Sequence, residues 1–152
     1  MHPAFAQSTK GPVFYWNVDG VVGLNGANRF DDVLFVQWCF YKMAKWTPAS
    51  KIWPTLSKVG INGACTGRAD DPLVDTIKTA EAVFGWDMDG RVTPMTNSAQ
   101  FTVHGIKYVY LIMYMNIALR QMYPQQYPRL DLIPEFVWRI KDKVVYPFFQ
   151  DG

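Results

Sequence analysis

The chain has 152 residues, 49% hydrophobic and 18% charged, with a formal net charge of +2. The length is that of one domain, or one domain with an added lobe, and such a chain can bury about 70% of its unfolded surface. The apolar content excludes a disordered chain, and the small net charge argues against a nucleic-acid binder held by phosphate neutralisation.

The first residues, Met1 to Gln7, lack the cationic start and long apolar stretch of a secretory signal. Val13 to Val18 is rich in β-branched and aromatic residues and ends at the turn pair Asp19-Gly20, so a short strand or extended arm is predicted. Asn25-Gly26 makes a second turn. A helix is then predicted over 33–45, with Asp31 or Asp32 as N-cap and Lys42 and Lys45 near its C-terminus. This helix is apolar nearly all round. It is therefore either the centre of the molecule or a helix with one side on a partner.

Pro48 and Pro54 make the following segment a loop. The next helix is signalled at both ends: Asp71 as N-cap, Pro72 in the first turn, Gly85 as stop. Leu73, Ile77, Ala80 and Phe84 form its apolar stripe, with Asp75, Lys78 and Glu81 on a solvated side. A turn-rich link covers 86–91, and Phe101 to Val103 is a short strand or the approach to a third helix over 106–122. On that helix Tyr108, Leu111, Ile112, Met115, Leu119 and Met122 form a core stripe. Tyr110, Met113, Tyr114 and Ile117 form a second, suited to a partner. Asn116 and Arg120 are placed to clamp a neighbouring loop, and Arg129 to hold the Pro-rich segment after it. A last helix is predicted over 134–144, followed by the aromatic tail Tyr146-Pro147-Phe148-Phe149. The apolar run from Tyr108 extends to about a dozen residues, short of the ~20 that a membrane span needs.

An internal repeat is visible. Val22-Gly23-Leu24-Asn25-Gly26-Ala27 matches Val59-Gly60-Ile61-Asn62-Gly63-Ala64. Arg29-Phe30-Asp31-Asp32-Val33-Leu34 matches Arg68-Ala69-Asp70-Asp71-Pro72-Leu73. Each copy reads as a Gly-rich turn, an acidic cap and a helix.

Chemistry-bearing patterns fail one by one. His2 and His104 offer no Ser-His-Asp or Cys-His arrangement, and no GxGxxG or Walker sequence occurs. Asp87-Met88-Asp89-Gly90 opens like a calcium loop, but Arg91 and Ser98 occupy ligand positions five and twelve. Asp31/Asp32 and Asp70/Asp71 stand where helices begin, so capping accounts for them better than acid–base chemistry. Cys39 reads as a buried, unreactive thiol and Cys65 as a loop thiol. Spacing alone leaves a disulfide between them open. No catalysis, no cofactor and no bound metal are expected.

The segment from Gly23 to Gln37, Gly-Leu-Asn-Gly-Ala-Asn-Arg-Phe-Asp-Asp-Val-Leu-Phe-Val-Gln, resembles the opening of peptidoglycan-binding-domain-like modules. These carry a Gly-rich turn, Asn-Arg-Pro-Asp-Asp-Val and a helix with Val-Gln. Val59 to Gly63 is similar to the turn before that family's next helix. Pro72 to Phe84 with Asp89-Gly90-Arg91-Val92-Thr93-Pro94 is similar to its helix ending in Phe-Gln and its Pro-Asp-Gly-Arg-Val link. The family's Pro is Phe30 here, its turn Asp is Asn62, and its Phe-Gln is Phe84-Gly85. The resemblance implies a small helical fold over 23–94.

The predicted fold is mainly α: a compact helical bundle of that topology over 20–95, an N-terminal extended arm over 1–19, and a C-terminal helical extension over 96–152. The predicted function is a non-catalytic structural subunit of a larger assembly, a phage virion or contractile injection apparatus, in the virion or an extracytoplasmic assembly. Its partners are other protein subunits, with neither nucleic acid nor a transmembrane segment involved. High aromatic content on little charge and the all-round apolar first helix motivate this. The expected interface is Phe14, Tyr15 and Trp16 in the arm, Tyr110, Met113 and Tyr114 on the third helix, and Tyr146, Phe148 and Phe149 in the tail. The alternative is a peptidoglycan-binding module, alone or targeting a partner hydrolase, with Trp38, Trp46 and Trp53 available to face a sugar.

Overall fold

The computed structural model describes residues 1–8, 11–46, 60–85, 87–96, 110–140 and 145. The N-terminal residues form an antiparallel hairpin, β1 (His2–Ser8) and β2 (Gly11–Asn17), with Ala4 opposite Tyr15 and Phe5 opposite Phe14. Edge-to-face packing of Phe5 on Phe14 and of Phe14 on Trp16 runs along it. The arm is therefore no free extension. Tyr15, Trp16 and Val18 are fully buried in the same core as the helices.

A second ribbon pairs β3 (Val22–Gly23) with β4 (Arg91–Val92). Gly23 has φ +114°, and a Cβ there would stand 2.1 Å from the Gly90 carbonyl oxygen. Only glycine lets the two chains approach this closely.

Helix α1 (Phe30–Met43) is the central element. The eight consecutive residues Val33 to Phe40 are all buried, as are Lys42 and Met43. Of the two sequence options, the structure takes the first, a helix covered by its own chain. The N-cap, however, is Arg29, without a side-chain cap bond. Asp32 does not cap. The helix begins a turn earlier than predicted, which carries Asp32 inward. There it accepts the N-terminal ammonium of Met1 at 2.6 Å and the backbone N–H groups of Asp19 and Gly20, each at 3.0 Å.

Helix α2 (Pro72–Val83) matches its signals. Asp71 accepts the Leu73 N–H at 2.8 Å, Pro72 opens the helix, and Gly85 follows with φ +71°. Leu73, Ile77 and Ala80 are buried. Glu81 departs from the prediction: it is buried and accepts the Gly90 N–H at 2.8 Å. The β3–β4 ribbon folds over that flank.

Helix α3 (Leu111–Met122) packs against α1 and β2. After a 3-10 turn at Leu130–Leu132 comes the short helix α4 (Trp138–Ile140). The predicted start at Pro134 fails because Glu135 has φ +65°, outside helical space.

The mainly α bundle is thus corrected. Among the described residues stand four helices and two small antiparallel sheets, a mixed α and β architecture. The missed strands are the two-residue β3 and β4 and the longer β1. Its Pro3, Ala4 and Gln7 carry little intrinsic strand preference, and pairing with β2 decides its conformation. One hydrophobic cluster takes residues from Met1 through Val145, so all three predicted segments share a core. No helix among the described residues is long and apolar enough to cross a membrane.

Candidate functional site

The two repeat copies lie side by side, and their turns are fastened by side-chain amides. In the first, Asn28 Oδ1 accepts the Gly23 N–H at 2.7 Å, and its Nδ2 donates to the carbonyls of Gly23 and Gly26. In the second, Gln37 reaches out from α1. Its Oε1 accepts from the N–H groups of Asn62 (3.0 Å) and Gly63 (2.8 Å), and its Nε2 donates to Asn62 Oδ1 at 3.0 Å. A backbone bond from Asn25 to the Gly67 carbonyl joins the turns.

Between them opens a cleft of about 470 Å³, lined by Asn28, Gln37, Asn62, Cys65, Thr66 and Asp71, with Gly, Ala, Pro72 and Leu73 between. Burial works against the ionised form of Asp71. The N–H groups of Thr66 and Leu73 and the Thr66 hydroxyl outweigh it and hold the carboxyl below its usual range. Burial pushes the half-buried Cys65 thiol up, and it pushes the fully buried Cys39 thiol far up. Both cysteines are free. A thiolate nucleophile is disfavoured at either position.

Asn62 also lines a second cavity, of about 390 Å³, with Phe30, Leu34, Ile61, Val137, Trp138 and Arg139. Phe30 and Trp138 are among the exposed large apolar residues, Trp138 at 67%. The Arg139 guanidinium stands 5.4 Å from the ring centroid of each. Polar cleft and aromatic cavity thus meet at one residue.

The predicted interface residues lie elsewhere. Tyr15, Trp16 and Met113 are buried within the chain. Phe14 and Tyr110 are half-buried against the core, and Tyr114 packs between Trp46 and Phe84. Where the prediction put these side chains on a partner, the hairpin and α3 turn them onto each other. Tyr146, Phe148 and Phe149 lie outside the described residues. Of the tryptophans named for sugar contact, Trp38 is buried and donates its indole N–H to the Glu135 carbonyl, Trp46 is half-buried, and Trp53 lies outside the described residues. Among the described residues the exposed tryptophan is Trp138, which sequence reasoning passed over. Its one signal was the Trp138-Arg139 pair, whose Trp lies 16 residues beyond Met122, the last residue of the third helix's apolar stripe. Asp89 makes a plain turn, accepting from Arg91 N–H. Among the described residues no group of three His, Cys, Asp or Glu side chains comes together to hold a metal.

In comparisons with known proteins, no family model, curated protein or solved structure matches the chain.

Proposed function

We propose that the protein is a non-catalytic binding module for an extended polar ligand, the glycan–peptide material of the bacterial cell wall. The observation that carries this reading is the meeting of two surfaces at Asn62: a cleft of amides and a hydroxyl, and a cavity with exposed aromatic rings. Amide and hydroxyl groups suit the acetamido and peptide groups of such a ligand. Flat exposed rings suit the apolar faces of sugars. The resemblance of residues 23–94 to peptidoglycan-binding-like modules supports the same reading, with a site of action outside the cytoplasm.

Sedimentation with purified cell-wall sacculi tests the reading. Retention that persists at about 0.5 M salt, where the Debye length falls to roughly 4 Å, and drops with W138A is the expected result. Protein that stays in the supernatant at every salt concentration would overturn it.

A second reading, a subunit of a phage virion or injection apparatus, is favoured by Phe5, which stands 60% exposed on the outer face of the hairpin, and by Leu132 at 56%. Its partners would be other protein subunits. A mass measurement in solution, repeated with F5S, separates the two: assembly lost in F5S supports the subunit reading.

A further inference from the structure

The Phe30–Arg139–Trp138 corner has a chemistry of its own. A guanidinium laid over two rings is held by cation–π attraction and loses little of its hydrogen-bonding capacity, because its N–H fork lies in the plane of the group. Arg68 and Arg129 each face a carboxylate, Asp70 and Asp131. Among the described residues, no carboxylate pairs with Arg139. Asn62 stands at the same cavity with Oδ1 engaged by Gln37 and by the Ala64 N–H, which leaves its amide N–H groups for an acceptor. A preorganised cation, a neutral donor and an exposed indole face converge on about 390 Å³, within the range of small-ligand sites.

We propose that this corner is a carboxylate-recognising subsite: Arg139 takes the acid of the ligand, and the exposed face of Trp138 takes the adjoining apolar surface. Within the wall-binding reading, on which the identity of the sugar rests, the ligand unit placed here is the acidic sugar carrying a lactyl carboxylate and not its uncharged neighbour. The anion preference itself rests on Arg139 and its surroundings alone.

The test is an NMR titration of the labelled full chain, following the Trp138 indole N–H, assigned with W138F. Three probes are used: N-acetylmuramic acid, N-acetylglucosamine and benzoate. The two sugars differ by the lactyl ether. Charge-assisted hydrogen bonds are about twice as strong as neutral ones, so the acidic sugar is expected to bind about tenfold more tightly. R139Q should erase that difference, and W138A, followed through the side-chain amide of Asn62 at the same cavity, should weaken both sugars. Arg139 is exposed, so R139Q should fold normally. Equal affinity for the two sugars, or a preference untouched by R139Q, overturns the subsite. Binding of benzoate that R139Q abolishes, with neither sugar bound, upholds the subsite and overturns the wall reading. No response to any probe overturns both.

Discussion

Asn116 on α3 treats Trp16 on β2 as a neighbouring strand would. Its Oδ1 accepts the Trp16 N–H at 2.7 Å, and its Nδ2 donates to the Trp16 carbonyl at 2.8 Å, across a hundred residues of sequence. Tyr127 adds a hydroxyl donor to the same oxygen at 2.8 Å, and the Trp16 indole donates to the Pro128 carbonyl. A single buried amide thus completes the inner edge of the hairpin and ties it to the helix and to the segment beyond. The sequence predicts that Asn116 and Arg120 clamp a neighbouring loop; Asn116 instead grips the strand of the arm.

Asn116→Ala removes the amide that pairs both the N–H and the carbonyl of the buried Trp16. Removing the partner of such a group costs about 1–3 kcal/mol, so a loss of about 3 kcal/mol is expected in urea unfolding. Asn116→Asp keeps the acceptor but sets a buried carboxylate oxygen against the Trp16 and Ile112 carbonyls, and should cost at least as much. A loss under 0.5 kcal/mol (roughly the scatter of surface substitutions) would remove the amide from its structural role.

Glu81 makes stability depend on pH. Burial, with the neighbouring Asp89 carboxyl acting in the same direction, raises its carboxyl from the usual range to about 8. The folded state therefore holds this proton more tightly than the unfolded chain. The contribution is complete below the ordinary carboxylate pKa of about 4.5 and is lost as pH rises through about 8. The decline cannot exceed ~1.4 kcal/mol per pH unit, the limit for one proton. Glu81→Gln keeps an acceptor for the Gly90 N–H and should flatten the profile between pH 5 and 8 (about the window between the two pKa values). A profile identical to wild type would place the dependence elsewhere.

Asp71→Ala removes the N-cap of α2 and the partner of Thr66. N-cap loss costs about 1 kcal/mol and up to ~2, which thermal unfolding should register as a lower midpoint. Asp71→Ser should recover most of it. Because the Asp71 carboxyl is held below its usual range, its contribution is present above that range and fades as pH falls through the lowered value. The Ala variant should lose this acid limb.

Tyr15 is fully buried, and its hydroxyl has no hydrogen-bond partner among the described residues. Burial also raises its pKa, so the group stays neutral. Tyr15→Phe removes an unsatisfied polar group while keeping the ring. It should be neutral or stabilise the fold by about 1 kcal/mol. A clear destabilisation in urea would show that the hydroxyl is satisfied in solution.

Local chemistry was legible wherever it acts within a few residues. Asp71, Pro72 and Gly85 mark the ends of α2 because capping and the left-handed stop are decided by neighbours in sequence. The turn motif of the repeat was legible too, although its purpose was not. Asn28 and Gln37 turn out to be the amides that hold the two Gly-rich turns shut, and Asn62 and Thr66 become a cleft only once those turns lie together.

Periodicity, caps and turn residues determined the positions of α1, α2, α3 and β2, because those signals are local and additive along the chain. What the apolar faces touch was decided by tertiary structure alone. An aromatic side chain meant for a core and one meant for a partner have the same sequence signature, so Tyr15, Trp16 and Met113 read as interface until the hairpin folded them inward. The same ambiguity hid Asp32, whose place in the core depends on Met1 meeting it across thirty residues, and Trp138, whose exposure depends on Arg139 and Phe30 meeting at one corner. Burial is a property of which elements pack together, and no window of sequence contains that information.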